Sequence, residues 1–105
     1  MKKVSDELAV ALIGYKDAII SSYLNVTEST FTDHCVEFDI GNKYVKVFFK
    51  PWNSKNSFKR HIHSFIDKST GDIWKAATYK APTKNFPRGN VLNNYYPTLS
   101  WIGVS

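Results

Sequence analysis

Cysteine is almost missing from this chain of 105 residues. Cys35 stands alone, which excludes an intramolecular disulfide and points to a reducing compartment. Long apolar runs are missing too. The longest, Leu8 to Ile13, is far too short to span a membrane. Met1, Lys2 and Lys3 resemble the start of a secretory leader, but Asp6, Glu7, Lys16 and Asp17 break the apolar segment behind them and no cleavage site follows. A soluble, cytoplasmic protein without membrane association is therefore expected. There is no glycine-rich phosphate loop, zinc-finger spacing, dinucleotide fingerprint, internal repeat or low-complexity tract. Charge is absent from Val91 to Ser105.

What is present suits one folded domain over residues 1–105, with 43% hydrophobic and 15% aromatic residues and no room for a second core. The net charge of +5 is divided unevenly. Met1 to Ile40 has three lysines against seven carboxylates, a balance of −4, whereas Gly41 to Asn90 has eleven Lys/Arg against two Asp, a balance of +9. Such asymmetry implies a basic face that concentrates anions. Its plainer explanation is a solvated strand face with exposed loops.

Ser5 is a helix cap, with Asp6 and Glu7 at the positive end of the helix dipole. Leu8, Leu12, Tyr15, Ile19 and Tyr23 then form one helical stripe that ends near Asn25. Val10, Ile13 and Ile20 widen it enough for self-association to be an alternative to plain core packing, and Gly14 inside it suggests a close backbone contact. The period then changes to two. Strands are expected at Val36–Ile40, Tyr44–Phe49, Phe58–Ile66 and Ile73–Tyr79, with turns at Gly41-Asn42 and at Asp67–Asp72, where Gly71 takes a positive φ. The fold expected is α+β, an N-terminal helix on one face of a four-stranded antiparallel meander. The apolar C-terminal segment from Leu99 to Val104 forms either a fifth strand or a tail docked on the sheet or on another subunit.

The segment from Ser64 to Val91 gathers cations and aromatics and is the expected site of function. Trp74, Lys75, Tyr79, Lys80, Lys84, Arg88 and Asn90 are the candidate ligand-binding residues. The cations suit phosphate, Arg88 through its planar fork, and the aromatic faces suit base stacking. Strand alternation puts Lys75 and Tyr79 on one face, and Trp74 and Lys80 on the other. A buried Trp74 and Tyr79 among ordinary surface lysines would explain the same residues without a ligand.

The run Asp67-Lys68-x-Thr70-Gly71-Asp72-Ile73-x-Lys75-x-Ala77, continued by Lys80-Ala81-Pro82-x-Lys84 and Arg88-Gly89-Asn90, resembles a group of small, mostly uncharacterised proteins of tailed bacteriophages. The resemblance implies a phage origin and a host-cytoplasm setting, and it implies no activity.

Catalytic chemistry is poorly supplied. His63 with Ser64, and His34 with Cys35, are adjacent pairs that point to opposite faces of a strand. His61 and His63 share a face but lack further ligands at a zinc-like spacing, so neither a metal nor another cofactor is expected. Three non-enzymatic functions fit. The first is binding of nucleic acid through the basic and aromatic hairpin and loop. The second is sequestration, by an oligomer, of a phosphate-bearing nucleotide messenger of host defence. The third is inhibition of an acidic host protein.

Overall fold

The computed structural model describes residues 4–26, 36–49, 61–78, 80–99 and 103–104. Helix α1 spans Asp6–Val26. It begins where Ser5 Oγ accepts the Leu8 backbone N–H at 3.1 Å. Leu8, Leu12, Tyr15 and Ile19 of the expected stripe are all buried. The side chain of Tyr23 lies outside the described residues. Among the described residues, Gly14 does not meet another backbone. A Cβ there would find only Asn94 Oδ1, at an ordinary 3.8 Å.

Among the described residues five antiparallel strands follow, in the spatial order β1-β2-β3-β4-β5. They are β1 Val36–Ile40, β2 Tyr44–Phe49, β3 His61–Asp67, β4 Asp72–Lys75 and β5 Gly89–Asn90. The result is α+β, a meander with the helix on one face. Cross-strand partners Val45, Ile66 and Ile73 point toward the helix, as do Val47 and Phe49, and join Leu8, Leu12, Tyr15 and Ile19 in the core. No helix among the described residues is long and apolar enough to cross a membrane.

The β3–β4 turn forms as its residues dictate. Asp67 Oδ1 accepts Ser69 N, Ser69 Oγ and Thr70 N, and Gly71 has φ 82°. Burial pushes the Asp67 carboxyl up, but the hydrogen bonds from Ser69 and Thr70, with Lys43 nearby, outweigh it and hold the group below its ordinary value.

Three expected strand limits are corrected. The third strand runs through Asp67, and its expected start at residues 58–60 lies outside the described residues. The fourth strand ends at Lys75 instead of Tyr79. Thr78 Oγ1 accepts Lys80 N and Ala81 N, reversing the chain, and Ala76 forms a single bridge with Pro82. The fifth strand is Gly89–Asn90, while Leu99 and Val104 form only an isolated bridge to each other. Tyr96, Leu99 and Val104 still pack on the core, so this end of the chain is a docked tail.

A bulge sets the helix on the sheet. Val47 pairs with Ser64, but its neighbour Phe48 pairs with Ile62, so His63 is the extra residue. His63 and Ser64 therefore reach the same side, against the expectation from simple alternation. Ser64 Oγ lies 2.8 Å from both His63 Nδ1 and Tyr15 Oη, all in buried side chains. The trio is a buried polar pin between helix and sheet.

Burial pushes the Tyr15 phenol well above its ordinary value, the Ser64 hydrogen bond offsetting part of the effect and Tyr96 adding to it. The neutral phenol's contribution is complete below the unfolded value of about 10 and is lost as pH rises above it, because the unfolded chain releases the proton first. Tyr15→Phe should cost about 1 kcal/mol near neutrality, since Ser64 keeps His63 as a partner. In urea melts at about pH 9 and about pH 11, its stability should fall less between the two than that of the parent chain.

Candidate functional site

The register of the sheet decides which candidates meet. Lys46 pairs with Phe65, and Phe65 with Trp74, so all three lie on the face away from α1. Tyr44, two residues before Lys46, lies there too. Ser64 pairs with Lys75, which puts Lys75 on the helix side at the exposed rim. The separation of Trp74 from Lys75 matches simple alternation. Lys80 falls instead in the turn after Ala76, exposed and away from any strand face. Tyr79 lies outside the described residues.

Lys84 arrives on this face from the loop. Its Nζ sits 4.4 Å from the Trp74 ring centroid and 5.4 Å from that of Tyr44, and donates to Tyr44 Oη at 2.8 Å. Tyr44 meets Phe65 edge to face, with centroids 5.8 Å apart. Lys43 Nζ lies 5.3 Å from the Tyr44 ring, and Lys46 Nζ 6.0 Å from the Phe65 ring. Three lysines thus converge on a short row of aromatic rings. Charge is not all of one sign, because Glu37 and Asp39 of β1 pair with Phe48 and Lys46 on the same face.

Arg88 is only 9% exposed. Its guanidinium carbon lies 4.0 Å from the Phe86 ring centroid, and Nη1 donates to Asn85 Oδ1 and to the Phe86 carbonyl, both at 2.6 Å. Asp72 pairs with Asn90 and Ile73 with Gly89, so extending that register by one residue sets Arg88 beside Trp74. Among the described residues, Arg88 Nε and Trp74 Nε1 are both buried without a hydrogen-bond partner. Each such donor costs about 1–3 kcal/mol unless something accepts from it.

Asn90 has its side chain engaged within the fold. Its amide donates to the Thr70 carbonyl at 2.9 Å and to Asp72 Oδ1 at 3.0 Å, and its oxygen accepts Leu92 N and Asn93 N, capping the short 3-10 helix η1 at Val91–Asn93. Gly89 and Asn90 therefore build an edge strand, and Asn90 also caps η1.

Tyr44, Lys43 and Lys46 were not among the residues singled out from sequence. The signal that finds Tyr44 and Lys46 is the period-two pattern of β2, read jointly with that of β4, whereas Lys43 belongs to the turn before β2. Among the described residues, no three His, Cys, Asp or Glu side chains are grouped to hold a metal. A cavity of about 180 Å³ beside the aromatic row is lined by Asp39, Ile40, Gly41, Tyr44 and Lys46. It is smaller than the roughly 300 Å³ at which small-molecule sites begin.

Together these features define a small helix-on-meander protein whose sheet face away from α1 carries lysines packed on aromatic rings, with Phe48 and Phe65 buried beneath them. Residues 2–98 match the model of DUF7717, a family of unknown function, and the chain belongs to that family. No match was found among curated proteins or solved structures.

Proposed function

We propose that this chain is a non-enzymatic accessory protein that binds single-stranded nucleic acid along the lysine–aromatic row on the sheet face away from α1. The observation that carries the reading is Lys84 seated on Trp74 and bonded to Tyr44, with Lys43 and Lys46 alongside. An exposed cation–π contact is worth about 0.5–1 kcal/mol, whereas stacking of a base on an aromatic ring is worth about 1–3 kcal/mol. Exchange is therefore favourable. Lys84 moves from the indole to a phosphate, and a base takes its place on the ring. The host-cytoplasm setting of the phage resemblance fits such a role.

Fluorescence anisotropy with labelled homopolymeric single strands of DNA and RNA provides the test. Affinity should fall with salt, with a log–log slope of about −0.7 for each phosphate neutralised, or roughly −2 for three lysines. Lys84→Ala should weaken binding about fivefold or more, while Lys75→Ala, on the other side of the sheet, should change it less than about twofold once salt screens distant charges. Absence of binding at low salt, or equal losses in the two variants, defeats the proposal. Binding confined to a mononucleotide, or to an acidic protein, points to one of the other anionic partners instead.

A further inference from the structure

Across the molecule from the lysine–aromatic row lies an open groove of about 580 Å³ between the start of α1 and η1. It is lined by Asp6, Glu7, Val10, Ala11, Val91, Leu92 and Asn94. Its apolar wall continues onto exposed surface, with Val10 70% and Ile13 60% accessible. Asp6, Val10, Ile13 and Asp17 follow one helical stripe, apolar in the middle and acidic at both ends. Two copies of this stripe packed antiparallel would bring carboxylate toward carboxylate, which disfavours a symmetric helix-to-helix dimer. The groove instead suits an apolar side chain carried by a basic segment.

The chain itself holds such a segment. Phe86 is 56% exposed on the loop between β4 and β5, its ring backed by the Arg88 guanidinium and preceded by Lys84. From Lys80 to Arg88 the loop has three cations and no carboxylate. We infer that the groove receives the Phe86 loop of a second copy, the ring entering between Val10 and Leu92 while the exposed Lys80 and the loop's net positive charge meet Asp6 and Glu7. Acceptor and insert lie at different places on one chain, so the contact is heterologous. It leaves a free groove at one end of every pair and a free loop at the other, and assembly continues into a ring or an open chain. The inference does not depend on the nucleic-acid reading, and its test contains no nucleic acid.

Two variants at exposed positions separate the halves of the interface. Val10→Lys sets a cation in the groove, and Phe86→Asp replaces the insert with a carboxylate. Each is first checked for an unaltered circular dichroism spectrum and melting curve. In sedimentation velocity the parent chain should gain mass with concentration, and less so in high salt. Either variant alone should remain monomeric. An equimolar mixture should form a dimer and nothing larger, because only the Phe86 loop of Val10→Lys and the groove of Phe86→Asp remain to meet. A parent chain that stays monomeric at its highest soluble concentration overturns the inference, as does a mixture that stays monomeric or a variant that dimerises by itself. As a second measurement, Asp6→Asn with Glu7→Gln should weaken parent self-association while leaving the helix signal in place. Unchanged association there would remove the charged rim from the contact.

Discussion

Gly89→Ala is expected to lower the melting temperature by roughly 15 °C. Gly89 has φ 152°, and a Cβ added to it would run into the Tyr95 carbonyl oxygen and lie 3.0 Å from the Tyr96 Cα. Both are backbone atoms, so no side chain can rotate away. Relief requires moving the 89–96 segment, which is held by Asn90 N to the Tyr95 carbonyl at 2.6 Å, Tyr95 N to the Asn90 carbonyl at 3.0 Å and Val91 N to the Gly71 carbonyl at 2.9 Å. Val91 is fully buried and Tyr96 packs on the core, so displacement also loosens apolar contacts. Strain and overpacking together are worth about 3 kcal/mol, and in a domain of this size each kcal/mol shifts the midpoint by about 4–8 °C. Gly14→Ala is the control. Inside the helix and free of close contacts, it should gain up to about 1 kcal/mol. A Gly89→Ala protein that melts within a few degrees of the parent would show that the 89–96 turn can re-form around a side chain.

The second large effect concerns binding. Trp74→Ala should weaken single-strand affinity by about 10- to 100-fold, the worth of one stacked base. Trp74→Phe should retain most of that affinity, because the ring face persists. It also removes the indole N–H that is buried without an acceptor, so the folded state should be no less stable than the parent. The pair of variants separates ring from fold. If both lose affinity equally, the indole N–H is the recognising group. If Trp74→Ala binds like the parent, the ligand does not lie on this face.

The parts legible in sequence were those fixed by neighbours along the chain. Ser5, the stripe from Leu8 to Ile19, the alternation of β1 and the Asp67–Gly71 turn are all local, and each is found as read. What escaped depends on distant partners. The bulge at His63 exists only because β3 pairs with β2 out of step, so residues assigned to opposite faces instead share a hydrogen bond. The strand at Gly89 exists only because it pairs with Asp72 and Ile73 of β4. For the candidate site, separation of Trp74 from Lys75 followed from alternation, but the junction of Lys84 with Tyr44 crosses forty positions and leaves no periodic trace. Asn90 had the composition of a ligand contact and is committed to capping η1, because amides serve both purposes equally well.

The outer side of β4 carries one more consequence. It is closed piecemeal: Asn90 and Gly89 pair with Asp72 and Ile73, Thr83 N binds the Lys75 carbonyl at 2.7 Å, and Pro82 sits against Ala76. The covering segment contains Pro82 and Pro87, neither of which has an N–H to offer a further strand. Growth of the sheet through that border, the route by which exposed strands recruit other chains into aggregates, is thereby blocked. Contacts between copies on this flank must then be made by side chains, which can be weakened by salt or by a single substitution, and a continuous backbone ladder cannot.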